Sequence, residues 1–67
     1  MLNEEFKKIA DKFGVSFGLV EELVSLYRSV NTSSNTLNDY KKIDSLTTNS
    51  DLKFSVAKFV EEYYFSK

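Results

Sequence analysis

The chain has 67 residues, 42% of them hydrophobic and ten of them Phe or Tyr, which suits one domain with one core and argues against disorder. Cysteine and histidine are both absent, excluding disulfides, thiolate and imidazole metal sites and the commonest general base. Nine basic against ten acidic residues leave a formal charge of −1, so no global field draws the chain to nucleic acid or to an anionic membrane.

The opening Met1-Leu2-Asn3-Glu4-Glu5 is acidic and has no signal-peptide pattern. Apolar runs are far too short for a membrane span. A complete, single-domain cytoplasmic protein over residues 1–67 is the expectation. Leu2, Phe6, Ile9, Ala10 and Phe13 recur at spacings of three and four, predicting a first helix over roughly 2–13. Glu4 and Lys8 are placed to pair on it, and Gly14 is a natural stop.

Ser16 is a good N-cap for a second helix over roughly 16–30. Leu19, Val20, Leu23, Leu26, Tyr27 and Val30 form its apolar arc. The polar stretch from Asn31 to Asn35 reads as a loop. Asn31-Thr32-Ser33 matches a glycosylation acceptor, read as chance without a secretion signal. Leu37, Tyr40, Ile43 and Leu46, spaced by threes, predict a short third helix over roughly 36–46. Thr47 to Ser50 is a second loop that supplies an N-cap. The last helix is expected over roughly 50–65, with Leu52, Val56, Phe59, Val60 and Tyr63 as its core stripe and Tyr64 at the stripe's edge. With no proline and only two glycines, the chain reads as a compact all-α, four-helix domain.

Residues 9–23 carry a more specific pattern. Ala10 is a small residue on the first helix, Gly14 follows four positions later, and Val15 and Ser16 come next. Val20 and Leu23 are branched apolar residues on the second helix. This run resembles a bacterial helix-turn-helix domain. Each position has a physical reason: a small side chain at the helix crossing, a glycine that accepts positive φ, a cap, and anchors back to the first helix. The same glycine turn also occurs in the ubiquitin-associated three-helix fold.

The resemblance implies that the second helix enters the major groove of DNA. Carried over, the outward positions are Ser16, Phe17, Gly18, Glu21, Glu22 and Ser25. With Lys8, Lys12 and Arg28 at the flanks, Ser16, Phe17 and Ser25 are the candidate nucleic-acid contacts. Arg, Lys, Asn and Gln are the usual base readers, and none precedes Arg28 on this surface. Two adjacent glutamates repel phosphate. The remaining lysines, among them Lys7, Lys41, Lys42, Lys53 and Lys58, are scattered and read more readily as a solvated face.

Phe17 and Val24 lie on the edge of the second helix, bordered by Glu21 and Arg28. Either the later helices cover them or they form a strip suited to a protein partner. On the last helix Phe65 and Phe54 point away from the core stripe. Burial between helices and a dimer or partner interface both explain that second apolar face. Candidate partner contacts are therefore Phe17, Glu21, Glu22, Val24, Arg28, Phe54 and Phe65.

Catalysis is not expected. The pairs Glu4-Glu5, Glu21-Glu22 and Glu61-Glu62 diverge around a helix, and no histidine activates a serine. No cofactor, metal or small-molecule substrate is implied. The sequence points to a small regulatory protein that binds a protein partner or itself, with DNA as the alternative target. Its Asn-, Lys- and Ser-rich composition suits a phage or mobile-element protein.

Overall fold

The structure, a computed structural model, describes residues 2–32 and 36–65. The expected loop at 33–35, the ends Met1, Ser66 and Lys67, and the side chain of Leu2 lie outside that description. Four α-helices follow one another: α1 Leu2–Phe13, α2 Phe17–Thr32, α3 Thr36–Leu46 and α4 Ser50–Val60. A π turn, Glu61–Phe65, continues α4. The described residues contain no strand. The all-α four-helix architecture is thus the one expected. No described helix is long and apolar enough to cross a membrane.

The core draws on all four helices. Phe6 and Ala10 come from α1, Val20, Leu23, Val24 and Tyr27 from α2, Ile43 from α3, and Leu52, Val56 and Val60 from α4. Its fully enclosed members include Leu23, Ile43 and Leu52, and burying such a side chain is worth about 1.5–3 kcal/mol. α2 is the common partner. Its buried residues fall at i, i+3, i+4 and i+7, a wide arc, and α2 packs against α1, α3 and α4 alike.

That wide arc decides Val24. The residue is 3% exposed and belongs to the core, so it is not a surface contact for a partner. Three helices pack around α2, which leaves no uncovered strip through position 24.

α2 also runs two residues past its expected end. The Asn31 amide donates to the Tyr27 carbonyl at 2.8 Å, and the Thr32 hydroxyl donates to that of Arg28 at 3.0 Å. These side chains fold back on the last turns of α2, and the Thr32 hydroxyl also reaches the Ser29 carbonyl, one of those a helix end leaves open, at 3.4 Å.

α3 is attached differently. A series spaced by three residues drifts around a helix of 3.6 residues per turn. Ile43 alone of Leu37, Tyr40, Ile43 and Leu46 is buried; Leu46 is half-buried, and Leu37 and Tyr40 are exposed. Polar ties supplement this small apolar contact. The Ser29 hydroxyl of α2 donates to the Asp39 carboxylate at 2.9 Å. Lys53 of α4 reaches Asp44 at 2.8 Å.

α4 begins on a side-chain cap, with the Asn49 carbonyl oxygen accepting from the Leu52 N–H at 3.1 Å. It does not stay α-helical to residue 65. Beyond Val60 the turn widens to the i→i+5 pattern, which advances less around the axis per residue. The side chains past Glu61 therefore lag behind their expected directions. Tyr64 swings under the helix and is half-buried against the core, while Tyr63, expected in the core stripe, is 52% exposed.

Candidate functional site

The connection between α1 and α2 is built from backbone geometry. Gly14 has φ of +66°, the left-handed conformation in which an L side chain is strained. The Val15 N–H then reaches back to the Ala10 carbonyl at 3.0 Å. This six-to-one bond after a left-handed residue is the Schellman helix stop. The next helix begins at once. The Ser16 hydroxyl accepts from the Leu19 N–H at 3.1 Å, and the Ser16 carbonyl accepts from the Val20 N–H at 3.3 Å. Ser16 is thus the N-cap and lies just outside α2.

With Val20, Leu23, Val24 and Tyr27 turned inward, the other side of α2 meets water. Phe17, Gly18, Glu21, Glu22, Ser25 and Arg28 are all exposed there. Phe17 is 36% exposed, with its ring 6.0 Å from that of buried Phe6. One side of the ring is anchored and the other is free. Glu21 and Glu22 have no salt-bridge partner among the described residues.

At the far end of this face lies an arrangement that only tertiary structure reveals. The Arg28 guanidinium sits 4.3 Å from the centre of the Tyr64 ring. A stacked guanidinium keeps its charge but loses freedom to move toward an incoming phosphate. Around the pair is an open cleft of about 380 Å³ lined by Ser25, Arg28, Ser29, Thr32, Tyr64 and Phe65. Phe65, expected on the same side of the last helix as Phe54, faces this cleft with α2 instead. The π turn is the reason, because it displaces Phe65 around the axis relative to residues before Val60.

Phe54 remains where an uninterrupted helix puts it, and it is 67% exposed. It borders a groove of about 290 Å³ between α1 and α4, whose apolar lining is Ile9, Phe54 and Phe59 and whose charged members are Glu5, Lys58 and Glu62. The Lys58 amine lies 5.9 Å from the Phe54 ring centre. Phe54 and Phe65 therefore serve two separate depressions rather than one apolar face.

The lysines of α1 are dispersed. Lys8 lies 3.7 Å from Glu5, an i,i+3 pair in place of the expected pair with Glu4. Lys12 lies 5.5 Å from the Phe13 ring centre. Lys8 and Lys12 are both exposed, as are Lys41 and Lys42. Nowhere among the described residues do three Asp or Glu side chains gather to hold a metal ion. One titration is displaced by the fold: burial raises the Tyr27 hydroxyl above its ordinary range, with the charges of Tyr40 and Asp44 adding to the effect.

Sequence reasoning named Phe17, Glu21, Glu22, Ser25 and Arg28, and the structure gathers them on one face. It missed Tyr64, Ser29 and Thr32 beside Arg28, and Ile9, Lys58 and Phe59 beside Phe54. Those partners come from other elements, and no local spacing announces them. Comparison with protein-family models, curated proteins and solved structures finds no match to this chain.

Proposed function

We propose that this chain is a small non-catalytic regulatory protein that docks on a basic surface of another protein through the uncovered face of α2. Phe17 is the apolar anchor, and Glu21 and Glu22 are the charged contacts. The observation that carries this reading is the charge pattern of that face. Two free carboxylates occupy its centre, and its one cation, Arg28, is stacked on Tyr64. Phosphate oxygens are repelled by such a face, whereas lysines and arginines around an apolar pocket complement it. A large half-buried aromatic ringed by polar residues is a common centre for protein recognition.

The test is capture of a partner from the cells that make the protein, with native chain beside Glu21→Lys/Glu22→Lys and Phe17→Ala. A specific partner is expected with native protein and lost with both variants, while circular dichroism shows both still folded. Equal capture by the charge-reversed variant rejects the reading.

A second reading has its own support. The stop at Gly14 followed immediately by the Ser16 cap, with buried Ala10 before it, suits a DNA-binding helix-turn-helix. On that reading Ser16, Phe17, Ser25, Arg28, Lys8 and Lys12 approach the duplex. Titration against mixed-sequence duplex at low salt separates the two. Non-specific DNA binders typically reach a Kd of about 10⁻⁴–10⁻⁶ M, so no binding at about 0.1 mM removes the DNA reading. Tight, salt-sensitive binding that Glu21→Lys strengthens favours it over the protein reading.

A further inference from the structure

Asp51, Phe54, Lys58 and Glu61 recur at spacings of three and four along α4 and into the π turn, and all four are exposed. They form one seam along α4, in which Phe54 and Lys58 border the groove with α1, while Glu61 joins Phe54, Ala57 and Lys58 around a second shallow depression on the other side. The seam joins a protruding aromatic ring to an apolar depression beside it. The depression is floored by Ile9 and Phe59, and Phe54 stands on its edge. A surface that presents both a knob and a hole next to each other is self-complementary under a two-fold axis.

We propose that this seam binds a second copy of the chain, α4 crossing α4 antiparallel about a two-fold axis between Phe54 and Ser55. Each Phe54 then enters the other copy's groove between Ile9 and Phe59. The charges select this occupant and this direction. In the antiparallel register Lys58 lies opposite Asp51 of the second copy, and the reciprocal pair forms by symmetry. Glu61 and Glu62 extend beyond Ser50, the first residue of the second copy's α4, so no carboxylate of that helix lies opposite them. A parallel pairing sets Asp51 against Asp51 and Lys58 against Lys58. Glu5, on the α1 rim, is already neutralised in part by Lys8 at 3.7 Å. Separate residues form the α2 face, so a dimer built this way carries two copies of that face and binds bivalently wherever its partner is repeated.

Sedimentation equilibrium of the whole chain, from about 10 μM to about 1 mM, tests the assembly. The weight-average mass is expected to rise from 7.7 kDa toward twice that value. Phe54→Ser is expected to hold it at the monomer value with unchanged helical circular dichroism, since Phe54 is 67% exposed and supports no core. Asp51→Lys and Lys58→Asp, made singly, are each expected to weaken the dimer about tenfold, and the double swap Asp51→Lys/Lys58→Asp to restore it. A native chain that stays monomeric at about 1 mM overturns the proposal, as does a dimer indifferent to Phe54→Ser or a double swap that restores nothing. A basic helical peptide that occupies the groove of a monomeric native chain overturns it as well, and assigns the seam to a partner helix. None of these variants touches the α2 face, so capture of a partner there is scored independently.

Discussion

α2 and α3 are neighbours held by different physics. α2 buries Val20, Leu23, Val24 and Tyr27 and touches every other helix, whereas α3 buries Ile43 alone among its described side chains. α2 is fixed by close packing around much of its circumference. α3 leans on buried Ile43, half-buried Leu46, the Ser29–Asp39 hydrogen bond and the Asp44–Lys53 ion pair. Packing of the first kind tolerates little change, and attachment of the second kind yields locally. The exposed face of α2 is therefore presented on the helix that contributes most to the core, an arrangement that favours a low entropy cost of recognition.

The contrast breaks most visibly at two leucines. Leu23→Ala is expected to lose about 3 kcal/mol, as deep Leu→Ala changes do, and that is a large fraction of what a chain this size possesses. Leu37→Ala on α3 is expected to fall within about 0.5 kcal/mol of native, because the residue is 66% exposed. Urea unfolding of both variants checks the pair. Similar losses at the two sites contradict the difference between the helices.

The entry to α2 gives a smaller effect of opposite signs. An added Cβ meets nothing within 4 Å at either Gly14 or Gly18, so backbone conformation alone decides each outcome. Gly14→Ala forces an L residue to φ of +66° and is expected to cost about 1–2 kcal/mol. Gly18→Ala removes freedom from the unfolded chain inside a helix and is expected to gain about 0.5–1 kcal/mol. Thermal melts of the two variants should bracket the native protein. A destabilised Gly18→Ala contradicts the absence of a steric neighbour.

Ser29→Ala removes the tie from α2 to Asp39 and is expected to cost about 1 kcal/mol. Its signature lies in hydrogen exchange. Amides of α3 should lose protection while those at the centre of α2 keep theirs, and a uniform loss along both helices shows that α3 is no looser than α2.

The last effect is confined to alkaline solution. Burial, with Tyr40 and Asp44 adding, raises the Tyr27 hydroxyl in the folded chain. In the unfolded chain it ionises near its ordinary value of about 10. Above that pH the unfolded state sheds a proton that the folded state retains, so stability is full below about pH 10 and declines as pH rises toward the folded value. Tyr27→Phe should flatten this decline. A denaturation midpoint that falls identically in both proteins locates the alkaline loss elsewhere.

What was legible in the sequence follows the range of the forces involved. Gly14, Ser16 and Asn49 act on backbone groups within a few residues, and the structure places a left-handed turn and two caps at those positions. Val24 needed knowledge of how many helices surround α2, and a helical wheel of α2 alone left it at the edge. The series Leu37, Tyr40, Ile43 and Leu46 located α3, but threefold spacing drifts around the helix and does not say which of the four is buried. Tyr63 and Phe65 leave their expected directions at one widened turn that no residue type signals. For the candidate site, the residues of α2 itself were readable and the stacking of Arg28 on Tyr64 was not, since it joins positions far apart in the chain.

The place of α2 in the packing also bears on how the chain reaches this structure. Proline is absent, so no slow peptide-bond isomerisation delays folding. Most helix contacts join neighbours along the chain, a topology that folds in microseconds to milliseconds. Because α1, α3 and α4 all rest on α2, none of the three completes its burial before α2 is helical. Substitutions at the buried Val20, Leu23 and Val24 are therefore expected to slow refolding in stopped-flow measurements, whereas changes at exposed Leu37 are expected to alter neither limb of the kinetics.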